Sequence, residues 1–166
     1  RLGSRGAGLW GGAGVCRVRA RVSAGCITGK IGGVSKAVRT KIEAQNVGDV
    51  AGAATINVVR RGGANRYDTN RIVNAKTLRL AGGSADTAFM ASGEGFADAL
   101  AVGPVAYRLG YPVILTKGKT LGANENTQLA AFTAVNNVVI AGGVGVVSSA
   151  VESSVKSQGF TTLRLA

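Results

Sequence analysis

Histidine is absent from this 166-residue chain, and that gap alone removes every Ser-His-Asp or Cys-His arrangement as a route to nucleophilic catalysis within it. Cysteine occurs twice, as Cys16 and Cys26. Two thiols with no histidine are too few for a metal site and make no disulfide framework, so neither a metal nor a cofactor is expected. With two prolines, one methionine and 5% aromatics, the core must come from Ala, Val, Leu and Ile packed close to backbone, which suits a layered α/β fold. No apolar run is long enough to span a membrane, and no charged start followed by an apolar stretch marks a signal peptide. The sequence starts at Arg1 and ends at Ala166 in strand-like residues, so it reads as an internal piece of a longer protein, and the missing signal peptide carries no information about export.

What is present is positive charge, unevenly placed. The formal net charge is +12, but residues 1–60 hold ten Lys/Arg against two acids, while residues 61–166 hold ten against six. A modest positive field favours polyanionic partners without specifying one. DNA, anionic lipid and teichoic-acid-like wall polymers all qualify on charge. Against nucleic acid, no basic run is interleaved with aromatics and no segment resembles a recognition helix. Solvation of the surface accounts for the same charges equally well.

Residues 1–30 are mainly Gly, Ala and Arg, with neither helical nor strand periodicity in residues 1–26. They are expected to be irregular. Further on, the chain repeats itself. Val34-Ser-Lys-Ala-Val-Arg-Thr-Lys-Ile-Glu-Ala-Gln45 matches Val147-Ser-Ser-Ala-Val-Glu-Ser-Ser-Val-Lys-Ser-Gln158, and a Gly-Gly pair precedes each, Gly32-Gly33 and Gly142-Gly143. The kept apolar residues, Val38/Ile42 and Val151/Val155, stand four apart as one stripe of an amphipathic helix. The expected organisation is residues 31–61 as the C-terminal part of a preceding repeat and residues 62–166 as a nearly complete one.

Within 62–166 the elements alternate. Helices are predicted near Thr69–Leu80, Phe96–Leu109, Asn126–Val135 and Ser149–Gln158, with strands at Thr87–Ser92, Val113–Thr116 and Asn137–Ala141. Gly110 should close the second helix, and Pro104 should kink it or start a second piece. Ser149-Ala-Val-Glu152 has the form of a capping box for the last. Strands alternating with helices imply a Rossmann-like three-layer unit, a mainly parallel sheet flanked by helices. The helix Phe96–Leu109 is apolar nearly all round, so a second face should need cover from a neighbouring repeat.

Four motifs bear on function. The turn Ala141-Gly-Gly-Val-Gly-Val-Val-Ser148 could hold an anion at a helix start, but it departs from a dinucleotide fingerprint at Ser148, and tight packing explains Gly142, Gly143 and Gly145 better. Glu94 and Asp98 stand four apart after Gly93; Glu94 as a loop residue and Asp98 as a first-turn helix residue fit structure better than general acid and base. Arg66 could grip a phosphate or carboxylate and Tyr67 could stack on a sugar ring, or both could close the seam between repeats. Lys117 and Lys119 follow a strand at the carboxyl end, where parallel sheets place ligands, and are equally well read as hydrated loop lysines.

Taken together, Arg66-Tyr67-x-Thr69, Ala91-Ser-Gly-Glu94, Asp98-Ala-Leu100, Pro112-Val-Ile-Leu-Thr116 and Val139-Ile-Ala-Gly-Gly-Val-Gly145 stand in the order seen in the cell wall binding repeat 2 family, which the chain resembles over about residues 31–166. The resemblance implies a secreted, non-catalytic module held non-covalently at the extracellular cell wall, with tandem repeats, typically three, contacting anionic wall polymers, either teichoic-acid-like or polysaccharide. It implies that Pro112, Val113, Ile114 and Leu115 lie near the polymer-binding surface; Arg66, Tyr67, Lys117 and Lys119 are the further candidate contacts. Neighbouring repeats would be partners, and a separate region would supply the parent protein's activity. A nucleotide- or phosphosugar-binding α/β enzyme fragment is the alternative. The chain departs from the family in holding one nearly full repeat and in its longer segment between Gln45 and Arg60.

Overall fold

A computed structural model describes residues 24–29, 32–44, 57–80 and 85–166. The first 23 residues of the Gly/Ala/Arg segment and most of the longer stretch after Gln45 lie outside the described residues. A strand, β1 (Ala24–Thr28), nevertheless occupies the end of the segment expected to be irregular. It pairs in parallel with β2 (Asn57–Arg61) across helix α1 (Lys36–Glu43).

The rest of the chain follows the expected alternation: α2 (Arg66–Leu80), β3 (Thr87–Ser92), α3 (Ala97–Leu109), β4 (Val113–Thr116), α4 (Ala123–Ala131), β5 (Asn137–Ala141), α5 (Ser149–Ser157) and β6 (Thr161–Leu165). Strands β3 to β6 form a four-stranded sheet in the order β4-β3-β5-β6, with every pairing parallel. Both faces of the sheet are covered, which is why β3 is an almost unbroken apolar run. On one face Met90, Ile114, Val138 and Ile140 pack with Leu129 of α4, Val151 and Val155 of α5 and Leu78 of α2. On the other, Phe89, Ala91 and Ala141 meet Val102 and Ala106 of α3. Met90 and Ile114 are wholly buried, worth about 1.5–3 kcal/mol each in transfer free energy.

Three helices differ from their predicted bounds. Helix α2 begins three residues early because Asn65 caps it: its Oδ1 accepts the Asp68 amide at 3.0 Å, and Asp68 Oδ2 accepts the Ala64 amide at 2.9 Å. Helix α4 starts from Gly122 and is over by Phe132. Phe132 and Val135 sit three apart like a helical stripe but are buried in the turn that follows. In α5 the cap is Ser148, whose Oγ accepts the Val151 amide. Glu152 therefore takes no part in a capping box.

Helix α3 runs through Pro104 as one piece and closes at Gly110 in the left-handed conformation, φ 71°. The carbonyl that Pro104 leaves without a helical partner belongs to exposed Leu100, so water can satisfy it. Phe96, Leu100, Val105, Tyr107 and Leu109 all remain exposed. One helix spread over that face of the sheet leaves apolar surface without cover among the described residues.

The β1-α1-β2 unit reproduces β5-α5-β6 in detail. Gly29 and Gly142 follow their strands at φ 100° and 104°. Ser35 and Ser148 cap the helices at φ −63° in both cases. Arg60 lies across from Ile27 as Arg164 lies across from Ile140. The glycine equivalent to Gly142 is thus Gly29, at the same spacing that relates Val34 to Val147, and not the Gly32-Gly33 pair.

Candidate functional site

Each helix that leads into a parallel strand has its N-terminus at the carboxyl edge of the sheet, so the starts of α2, α3, α4 and α5 converge there with the loops after β3, β4 and β5. That edge collects most of the polar residues singled out above. The early start of α2 puts Arg66 and Tyr67 in its first turn. From there the Arg66 guanidinium donates to the Gly93 carbonyl, and the Tyr67 hydroxyl donates to Glu94 Oε1. The Tyr67 ring lies flat enough on Gly93 that a Cβ there would come within 2.6 Å of it. Gly93 is needed for that contact.

Burial first, then the hydrogen bond to Glu94 and its charge, push the Tyr67 hydroxyl up to about 12. It stays a proton donor at any ordinary pH. The Lys117 ammonium stands 5.8 Å from the ring centroid, within cation–π range. With its ring only 7% exposed, Tyr67 is a clamp on the loop after β3. It has no open face on which a sugar could stack.

The lysine loop and the glycine turn are joined. Ser148 N donates to the Gly118 carbonyl at 2.7 Å, and Ser148 Oγ donates to the Lys119 carbonyl at 3.0 Å. Arg164 holds the turn from inside, donating to the Gly142 and Val147 carbonyls at 2.8 and 2.9 Å, while Glu152 accepts from Arg164 at 2.8 Å and from Thr162 at 3.1 Å. Asp98 Oδ2 would be 2.6 Å from a Cβ on Gly142. A carboxylate so placed opposes a phosphate in this turn. A Cβ on Gly143 or Gly145 would meet nothing within 4 Å, so of the three glycines only Gly142 is required by packing.

Charges on the edge are sorted by geometry. Arg66, Lys117 and Lys119 are exposed. Glu125 is buried against Gly122, Asp98 is half-buried against Gly142, and Glu94 is engaged by Tyr67. The three cations face solvent; of the acids, Glu125 and Asp98 turn inward, while Glu94 is exposed with its carboxylate bonded to Tyr67.

Pro112, Val113, Ile114 and Leu115 are placed differently. Ile114 is wholly inside, and Pro112 is buried at the amino end of β4, the opposite edge from Lys117. A polymer cannot touch either without unfolding the strand, so the expectation of a contact surface there is corrected to its half-buried members, Val113 and Leu115. Leu115 opens onto a groove of about 470 Å³ at the seam between the two units, shared with Thr28, Gly29, Arg66, Thr69 and Asn70. Strand β4 is an edge strand, and its outer edge is occupied by α2. Asn70 Oδ1 accepts the Leu115 amide at 3.0 Å, and the Asn70 and Asn74 side chains donate to the Val113 carbonyl at 2.7 and 2.8 Å. Asn74 also donates to Gln128 at 2.6 Å. These asparagines were not singled out from the sequence, although two of them four apart on a helix that must also bury Val73 and Leu78 was a usable signal.

Comparison with known proteins fits this geometry. A family model described as cell wall binding domain 2 (CWB2) matches residues 60–152. The chain is 33% identical over 110 residues to N-acetylmuramoyl-L-alanine amidase LytC of Bacillus subtilis strain 168, which covers 66% of this chain and 21% of that protein. It is 33% identical over 100 residues to the amidase enhancer of the same organism, covering 60% and 14%. Among solved structures, Cwp6 from Clostridium difficile superposes with a TM-score of 0.71 at 20% identity, over 86% of this chain and 22% of that one. Cwp8 from the same species gives 0.65 at 26%, over 89% and 22%. The chain thus spans about a fifth or less of the length of each of these relatives. Among the described residues no helix is long and apolar enough to cross a membrane. With the family model matched over more than half its length, the chain belongs to the cell wall binding domain 2 family, and its place is outside the cell, at the wall.

Proposed function

We propose that this module attaches its parent protein to the wall by non-covalent contact with anionic wall polymers, in concert with neighbouring repeats. On this reading the unit Ala24–Arg61 is the C-terminal part of one repeat, and residues 62–166 are most of the next. The observation that carries the reading is the sorting of charge at the carboxyl edge, where exposed Arg66, Lys117 and Lys119 face outward. Four helix N-termini add their positive ends to the same surface. Contact would run from Lys117 and Lys119 past Arg66 to Leu115 in the seam groove, with Tyr67 and Gly93 holding the frame. Catalysis is left to other parts of the parent protein. The phosphate-binding enzyme alternative is not favoured, because the Asp98 carboxylate stands against Gly142 and would repel an anion bound in that turn.

The test is retention of the chain on purified walls across a salt series, before and after extraction of anionic polymer. Retention should fall as salt shortens the Debye length from about 10 Å at 0.1 M to about 3 Å at 1 M. Replacing Arg66, Lys117 and Lys119 together by Gln should flatten that dependence. Retention that ignores salt and extraction alike would overturn the electrostatic reading.

A further inference from the structure

A second groove, of about 480 Å³, runs between α2 and α3 over the outer edge of β4. It shares Asn70 and Val73 with the seam groove, so the two form one trough that crosses that edge. Its ends differ. One end carries Arg66, Thr28 and Thr69; the other carries Tyr107, Tyr111 and Thr77. Tyr107 is 91% exposed, the most open of the five large apolar side chains that α3 leaves uncovered among the described residues. Tyr111 is held in place by Phe89, the ring centroids being 6.3 Å apart.

We propose that this trough is a glycan subsite: an extended wall polysaccharide lies along α2, its anionic substituents at Arg66 and a sugar ring on Tyr107 and Tyr111. The inference rests on the wall-polymer reading above. Three features favour a glycan over the other extended ligand a trough beside an edge strand would take, a peptide. Strand addition needs free backbone groups on the edge, and here the Val113 carbonyl and Leu115 amide are already bonded to Asn70 and Asn74. A sugar needs no such ladder. It uses apolar C–H faces against aromatic rings and scattered side-chain donors and acceptors, and the tyrosine end offers rings that join an apolar face to a polar tip. At the other end Arg66 spends one of five guanidinium N–H donors on Gly93 and keeps the rest for an anionic substituent.

The experiment uses the full chain with purified Bacillus subtilis walls and with soluble glycan fragments released from them. Tyr107→Ala should weaken wall retention about five- to tenfold, while Tyr107→Trp restores it and its indole emission shifts when fragments are added. Because Tyr107 is so exposed, neither change should move the melting temperature, which separates loss of contact from loss of fold. Gly103→Leu, projecting into the tyrosine end, should act like Tyr107→Ala. If the parent chain is retained and Tyr107→Ala is retained equally, the trough is not the subsite and the wall-polymer reading stands alone. If wall peptides compete and glycan fragments do not, the trough proposal is overturned. If the parent chain is not retained on walls at all, both fall together.

Discussion

The units β1-α1-β2 and β5-α5-β6 share a strand, a left-handed glycine, a serine cap, a helix and a second strand, yet differ in how much they bury. Val151 and Val155 of α5 are wholly inside, whereas the equivalent Val38 and Ile42 of α1 leave that helix with no buried residue. Local sequence is nearly the same. What differs is the rest of the sheet: α5 lies over strands backed by β3, whereas among the described residues α1 lies over a two-stranded pair. A repeated segment therefore specifies an element, and the neighbours it is given determine how much stability the element returns.

Charge differs as well. Where α5 has Glu152 and Lys156, α1 has Arg39 and Glu43, a reversal of sign within the same spacing. In α5 the carboxylate is drawn into the arginine that holds the glycine turn, Arg164. In α1 the Arg39–Glu43 pair stays on the helix surface, where such pairs contribute about 0.3–0.5 kcal/mol. Arg60 still reaches the Gly29 and Val34 carbonyls, at 3.1 and 2.7 Å, so the clasp on the turn is common to both units.

The largest expected effect tests the burial contrast. Val151→Ala should destabilise by about 2–3 kcal/mol, and Val38→Ala by less than about 0.5 kcal/mol, in urea unfolding. Equal costs would mean that α1 is packed as tightly as α5. The turns come next. Ala at Gly29 or Gly142 must adopt a left-handed backbone, costing about 1–2 kcal/mol, but a Cβ on Gly29 meets open space whereas one on Gly142 meets Asp98. Gly142→Ala should therefore cost about 1 kcal/mol more than Gly29→Ala, and Asp98→Ala should close that gap. The smallest effect concerns acid. The Lys156 ammonium first, then Arg164, hold the Glu152 carboxyl down at about 2. A depressed carboxyl stabilises the fold above its unfolded value near 4.5 and loses that contribution as pH falls toward 2. Glu152→Gln should remove about 1 kcal/mol at pH 7, after allowance for solvent screening, and should flatten the stability profile between pH 5 and 2.

Legibility in the sequence followed the same division between element and context. Strands β3, β4 and β5 stand where their apolar runs place them, because a strand covered on both faces has no polar alternation to confuse. Helix ends were less legible. Asn65 caps α2 ahead of polar residues that look like loop, and Phe132 and Val135 mimic a helical stripe from a turn. In the site, Arg66, Tyr67 and Lys117 meet around the loop after β3, a juxtaposition their positions in the sequence did not announce, and burial makes Tyr67 a clamp rather than a ligand platform. Pro112 and Ile114 gave no sign of being inaccessible, since an edge strand's residues look alike until the covering helix is known. Asn70 and Asn74 were the least visible, because buried amides on a helix resemble outward polar positions.

Those two amides bear on solubility. An unpaired strand edge is where sheets from separate molecules merge, and modules strung on one chain meet each other at effective concentrations of about millimolar. By holding the Leu115 amide and the Val113 carbonyl, α2 acts as a strand that can never be exchanged. At the β4 margin, a strand from another molecule could add to the sheet only by first displacing both amides of α2.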